Sequence, residues 1–117
     1  MPATDPAPPD YLTPVVFHVL LVLAEGPHYG YAISKEVAEL TSGQITMGPG
    51  TLYGTLQRLT ERGWLVSTDE VDAAGAHSER RRYFELTPAG RSALRTEAER
   101  LARSVDLALE RAILRTS

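Results

Sequence analysis

Three stretches in the first half of the chain have the apolar pattern of short helices. Residues 15–25 are apolar nearly all round and follow Thr13-Pro14, an N-cap with a proline at the first helical position. Residues 30–40 and 49–62 carry apolar residues at helical spacing, and a glycine that favours a stop follows each of the three stretches within three residues. In the third stretch, Leu52, Leu56 and Leu59 form the stripe expected to be buried. The pattern therefore predicts three short helices before any strand.

The pattern changes after Trp64. Residues 65–71 are rich in Val, Thr and Leu, residues 72–79 are small and polar, and residues 80–86 contain Tyr83 and Phe84. This succession predicts a β-hairpin. Thr87-Pro88 then provides an N-cap and a proline at the first helical position, so we expect a helix that runs almost to Thr116.

This last helix carries more apolar side chains than so small a body can cover. Many of them follow one another at alternating spacings of four and three, the period of a helix that pairs with another helix. We therefore expect a homodimer in which the helix contributes Leu94, Leu101, Val105, Leu109 and Ile113. The alternative is a helix that folds back on its own domain.

Helix, helix, helix, hairpin and long helix is the order of a winged helix-turn-helix. The fold expected is mainly α with a small β-hairpin and a long C-terminal dimerisation helix. It divides into a disordered lead-in over residues 1–10, a winged helix-turn-helix DNA-binding domain over residues 11–87, and the dimerisation helix over residues 88–117. In such modules the third helix enters the major groove and the hairpin touches the backbone or the minor groove.

Composition narrows the setting in which the chain works. The 117 residues include no cysteine, which removes disulfides and thiolate ligands and suits a reducing, cytoplasmic compartment. No apolar run reaches the length that a bilayer span needs. The net charge of −3 argues at first against a nucleic-acid partner, but Arg80, Arg81 and Arg82 form a local basic run beside the polar turn.

The sequence does not favour an enzyme. Gly48-Pro49-Gly50-Thr51 lacks the lysine and the spacing of a phosphate-binding loop. His18, His28 and His77 lie on separate predicted elements, and no acid stands at metal-ligand spacing beside them. We expect structural or solvated histidines, with no catalytic residue, metal or cofactor.

Several residues of the third helix and of the hairpin are candidates for contact with DNA. Thr51, Thr55 and Arg58 offer groups that bond base edges or phosphates, and the backbone N–H groups of Gly50 and Thr51 face outward at a helix N-terminus. Tyr53 either donates its hydroxyl to DNA or packs half-buried. In the hairpin, Arg80 and Arg81 are preferred, because Arg82 alternates to the other face. The predicted DNA-binding set is Gly50, Thr51, Tyr53, Thr55, Arg58, Arg80 and Arg81.

Three strings resemble a known family. Gly30-Tyr31-x-Ile33 followed by Gly48-Pro49-Gly50-Thr51-Leu52-Tyr53 is similar to the PadR family of transcriptional regulators, and the exit Arg82-Tyr83-Phe84-x-Leu86-Thr87-Pro88-Ala89-Gly90 continues the pattern. The single C-terminal helix resembles the smaller PadR subfamily. The resemblance implies a repressor that leaves DNA when a small molecule binds, with an effector whose identity the sequence does not give. It also implies that the Tyr53 hydroxyl contacts DNA.

The sequence thus predicts a ligand-responsive repressor that binds a two-fold-symmetric operator on double-stranded DNA as a homodimer. Its two recognition helices would lie about one turn of B-DNA apart, roughly 34 Å. Two alternatives stay open. A winged-helix protein-interaction module would bind no duplex in a salt-dependent way, and a MarR-like regulator would use helices on both sides of the wing to form its dimer.

Overall fold

The structure, a computed structural model, describes residues 11–70 and 81–115. It confirms a mainly helical fold with a small antiparallel sheet and a long C-terminal helix. The elements, in chain order, are α1 (Pro14–Leu23), β1 (His28–Tyr29), α2 (Gly30–Leu40), α3 (Pro49–Glu61), β2 (Leu65–Glu70), β3 (Arg81–Leu86) and α4 (Pro88–Glu110). No helix of these two described ranges is long and apolar enough to cross a membrane.

The sheet has one strand more than the predicted hairpin. Strand β3 pairs with β2 on one side, with Leu65 opposite Leu86, and with β1 on the other, with His28 opposite Phe84. All pairings are antiparallel, in the order β1-β3-β2. Strand β1 was not predicted, because two residues are too few to show an alternation of polar and apolar positions.

Helix α1 forms the centre of the core. Its side chains Val19, Leu20, Val22 and Leu23 are at most 2% exposed, and the helix packs against α2, α4 and β3. Leu56 of α3 and Phe84 of β3 belong to the same buried cluster. An apolar helix of this kind is stable only when other elements surround it, which explains why α1 shows so little amphipathic character in the sequence.

Two threonine caps fix where the first and last helices begin, as predicted. Thr13 Oγ1 accepts a hydrogen bond of 3.2 Å from the Val16 N–H at the start of α1. Thr87 Oγ1 accepts one of 3.0 Å from the Gly90 N–H and donates one of 2.6 Å to the Gly63 carbonyl. The second cap therefore also ties the start of α4 to Gly63, two residues past the end of α3.

Helix α4 is shorter than predicted. It ends at Glu110 and does not approach Thr116, because Ala112 takes a left-handed backbone conformation with φ of 60°. The Ile113 N–H bonds the Ala108 carbonyl at 2.9 Å and the Ala112 N–H bonds the Leu109 carbonyl at 3.1 Å. This arrangement closes a helix C-terminus. Ile113, predicted for the dimerising stripe, lies past the helix.

The first half of α4 is part of the core of its own domain. Leu94, predicted as a dimerisation residue, is 7% exposed in the single chain and belongs to the core cluster, so that assignment is corrected. Glu97 is also buried, and its carboxylate accepts hydrogen bonds from the Arg100 guanidinium, one of them 3.0 Å long. Arg100 in turn stacks on the ring of Tyr11, 4.1 Å from its centroid. This cluster fastens the chain before α1 to the middle of α4.

Glu97 gives the fold a dependence on pH. The hydrogen bond from Arg100 lowers the pKa of Glu97, and the Arg100 charge and the Leu12 backbone lower it further, against the opposing effect of burial. A carboxylate with a lowered folded pKa stabilises the fold above its unfolded pKa and loses that contribution as the pH falls through the folded value. We expect Glu97→Gln to lower stability at pH 7, and we expect its difference from wild type to shrink as the pH falls below the unfolded pKa of glutamate, about 4.3. Urea denaturation from pH 7 to pH 3 tests this, and a constant difference would contradict it.

Candidate nucleic-acid interface

The start of α3 presents free backbone donors. Its N-cap, Gly48, has no side chain that could accept a hydrogen bond from the first turn, and Pro49 occupies the first helical position. Gly50 and Thr51 follow, both exposed. N–H groups at the second and third positions of a helix have no partner within the helix. This end of α3 can therefore receive an anionic oxygen, and the contact of Gly50 and Thr51 with DNA stays a prediction.

One predicted reader of α3 does not face solvent. Thr55 is 3% exposed, and its hydroxyl accepts a hydrogen bond of 3.4 Å from the Arg58 guanidinium. The prediction that Thr55 faces outward is wrong. Thr55 lies three residues after Leu52 and four before Leu59, so its side chain falls within the buried stripe. Thr55 therefore cannot contact base edges directly. Arg58 is exposed, so the hydrogen bond allows Thr55 to orient the Arg58 side chain.

Tyr53 is half-buried and half-exposed. The side chain is 47% exposed, while its ring lies so close to Gly30 that a Cβ built there would stand 2.8 Å from ring atoms Cε1 and Cζ. A half-buried packing residue is one of the two alternatives that the sequence leaves open for Tyr53. The exposed remainder of the phenol keeps a contact with DNA available.

A polar groove separates α3 from the sheet. It has a volume of about 330 Å³, and its lining residues are Tyr53, Gln57, Thr60, Glu61, Ser67, Arg82 and Phe84. Arg82 and the buried Phe84 stand two residues apart on β3 and therefore share the face of the sheet that is turned toward α3. The sequence favours Arg80 and Arg81 over Arg82 as DNA contacts. Alternation along a strand separates the two faces of the sheet but does not tell which face packs on which helix.

The other arginines near α3 differ in what the structure shows. Arg80 lies outside the described residues, and for Arg81 only the backbone, in β3, is described. Arg58 is exposed on α3. Arg62, at the C-terminal end of the helix, stacks its guanidinium over the Trp64 ring at 4.1 Å from the centroid, a cation–π contact. Among the side chains that the structure describes, those of Arg58 and Arg82 lie beside the exposed part of α3.

The second half of α4 carries apolar side chains that its own domain does not cover. Val105 is 47% exposed and Leu107 52% exposed, while Leu101 and Leu109 are half-buried. Ile113 and Leu114, just past the helix, are exposed as well. We call Leu101, Val105 and Leu109 the distal stripe. It continues the line of Gly90 and Leu94, which the domain buries, beyond the point where the domain ends.

His18 and His28 have local structural contacts. His18 Nδ1 hydrogen-bonds the Pro14 carbonyl at 2.7 Å, and His28 pairs with Glu36 at 3.1 Å. His77 lies outside the described residues. Within residues 11–70 and 81–115, no group of three or more His, Asp or Glu side chains is arranged to hold a metal ion.

Comparison with known proteins gives a consistent result. The model of a family described as "Transcriptional regulator PadR-like family" matches residues 19–96. Transcriptional regulator Rv3488 of Mycobacterium tuberculosis is 39% identical over 94 residues, which are 78% of this chain and 81% of that protein. A 37.1 kDa protein in transposon TN4556 of Streptomyces fradiae is 38% identical over 95 residues, which are 81% of this chain but only 25% of that protein.

Solved structures share the fold. A transcriptional regulator from Clostridium thermocellum superposes with a TM-score of 0.68 at 27% identity, covering 82% of this chain and 90% of that one. Bacillus subtilis PadR, solved in complex with operator DNA, gives a TM-score of 0.61 at 20% identity, covering 70% of this chain and 45% of that one.

Proposed function

Because the chain belongs to the PadR-like family of transcriptional regulators, we propose that it is a repressor that binds a two-fold-symmetric operator as a homodimer. In each half-site α3 enters the major groove, and the groove between α3 and the sheet receives the DNA backbone. A small-molecule effector releases the dimer from DNA. Residues 11–87 form the DNA-binding domain, and residues 88–117 the dimerisation segment.

The observation that carries this proposal is the exposed surface at the start of α3. Gly50 and Thr51 offer backbone N–H groups and a hydroxyl to a phosphate or a base edge, and Arg58 offers a guanidinium that bonds guanine or phosphate. Tyr53 adds a phenol hydroxyl. Across the groove, Arg82 supports the sheet side of the contact, and Arg80 and Arg81 remain proposed wing contacts.

The distal stripe supports the proposed homodimer. An apolar stripe that continues past the domain on a helix of 23 residues is unfavourable in water and is covered when a second copy pairs with it. Exposed Leu21 of α1 adds apolar surface on the helix against which α4 packs. A symmetric pairing would present two α3 helices to one face of a duplex.

The proposed effector needs a concave surface that joins the DNA-binding domain to the proposed dimerisation segment. A recess of about 430 Å³ is bounded by Tyr11, by Trp64 in the short connection between α3 and β2, and by α4 residues from Ala93 to Arg103. A molecule bound there would contact α4 and the connection that follows α3 together. This placement supports an effector that changes how α3 is held, and leaves its identity open.

Fluorescence anisotropy with a labelled duplex from the DNA upstream of its own gene tests the proposed function. We expect binding that is tighter than to an unrelated duplex of the same length and weaker as salt rises. Footprinting is expected to show two protected half-sites about one helical turn apart. If no duplex binds in a salt-dependent way, the protein is a winged-helix interaction module and the proposal is wrong.

Arg82 is expected to contribute a phosphate contact. Replacing Arg82 by alanine removes one positive charge beside the groove, so the slope of log affinity against log salt should become shallower by about one unit. Arg95→Ala is the matched control, because Arg95 is exposed on α4 and lines neither the groove nor the exposed part of α3. Equal slopes for Arg82→Ala and wild type would exclude a phosphate contact by Arg82.

A further inference from the structure

Gly30 occupies a position where the backbone does not require glycine. It is the first residue of α2, with Tyr29 as the N-cap, and its φ lies outside the left-handed region that side chains avoid. Alanine is the better helix former at such a position. A different reason for glycine is therefore needed, and the space around its Cα supplies one.

The space beside Gly30 is filled by the ring of Tyr53. A Cβ built on Gly30 would stand 2.5 Å from the Tyr53 hydroxyl oxygen and 2.8 Å from Cε1 and Cζ, and these are the three nearest atoms to it. Gly30 itself is buried. The phenol thus lies directly on the bare backbone at the start of α2, and it is the obstacle that any side chain at residue 30 meets first.

The position of this ring shapes the surface proposed to meet DNA. On one side Tyr53 lines the groove that contains Gln57 and Arg82, and on the other it lines a recess of about 280 Å³ with Tyr31, Ser34 and Met47. The ring is the wall between them. A ring moved off Gly30 enters one of these two spaces and carries its hydroxyl with it.

We propose that Gly30 is a positioning residue for DNA binding, whose missing side chain seats the Tyr53 ring and fixes where its hydroxyl meets the duplex. The inference rests on the proposed function of the chain as a DNA-binding regulator. It assigns to Gly30, a residue with no side chain to offer DNA, an effect on affinity that acts through Tyr53.

The test is a double-mutant cycle measured with the duplex from the upstream DNA. Gly30→Ala is expected to weaken binding about tenfold, the factor for losing one hydrogen bond to a charged group, and Tyr53→Ala by a similar factor. In the double variant, Gly30→Ala should weaken affinity for the duplex by less than about twofold beyond Tyr53→Ala alone, because the ring that Gly30 positions is no longer there. Because the obstacle is the end of a flexible side chain, the melting temperature of Gly30→Ala should not fall.

Two results would overturn the inference. One is a Gly30→Ala variant that binds as tightly as wild type, and the other is a double variant whose affinity loss is the product of the two single losses. If Gly30→Ala folds poorly, adding Tyr53→Ala must restore folding. If it does not, the proposed packing of the Tyr53 ring on Gly30 is wrong. The NMR signals of the Tyr53 ring should shift on Gly30→Ala, and this measurement needs no duplex. If the chain binds no duplex, the proposed function fails, and the NMR shift alone decides whether the ring packs on Gly30.

Discussion

Replacing Gly90 by alanine is expected to destabilise the protein by about 3 kcal/mol, the upper range for forcing atoms into a packed site. Gly90 is buried in the first turn of α4, and a Cβ there would overlap the carbonyl oxygen of Trp64 and stand 3.0 Å from its carbonyl carbon. These are backbone atoms and cannot rotate away. The same Trp64 carbonyl accepts a hydrogen bond of 3.0 Å from the Thr87 N–H, so moving it breaks the link between the connection after α3 and the N-cap of α4.

Gly54→Ala is the matched control for this loss of stability. Gly54 lies within α3, and its added Cβ would meet only the Arg58 guanidinium at an ordinary distance of 3.6 Å. Removing a glycine from a helix interior is expected to stabilise by up to about 1 kcal/mol. Thermal and urea unfolding of both variants should therefore shift in opposite directions. A Gly90→Ala variant as stable as wild type would show that the contact between α4 and Trp64 is not tight.

Much of the fold follows from local signals in the sequence. The pairs Thr13-Pro14 and Thr87-Pro88 predict the starts of α1 and α4 because a threonine hydroxyl satisfies N–H groups that the helix itself leaves free. The end of α4 does not follow in this way. Ala112 takes the left-handed conformation that glycine or asparagine usually supplies, so no residue type marks the stop.

The candidate site was less predictable than the fold, for a reason that Thr55 and Arg82 share. Thr55 is polar, and a polar residue beside a leucine stripe looks as if it belongs to the outer face. The width of the buried stripe depends on how closely α3 is covered by its neighbours, which is a tertiary property. Arg82 shares one face of β3 with Phe84, but which face of β3 is turned toward α3 depends on the assembled sheet. Long-range packing decides both cases.

A single charge in the distal stripe is expected to abolish the dimer. Val105 is exposed in the single chain, so Val105→Asp should leave the fold of the monomer intact. In a two-fold pairing the change buries two unpaired carboxylates, which costs several kcal/mol. Sedimentation at micromolar concentration is expected to find monomers. Affinity for the operator should then fall by about 100-fold or more, because two linked half-site contacts become two independent ones.

Ser92→Asp adds the same charge at a position away from the distal stripe. Ser92 is exposed on α4 and lies about 140° around the helix from Val105, on the side opposite Leu101. It should remain dimeric and keep its operator affinity within a fewfold of wild type. A Val105→Asp protein that stays dimeric would place the interface elsewhere, for example around Leu21 of α1. A monomer that still binds the full operator as tightly as wild type would show that each α3 binds DNA without help from a partner.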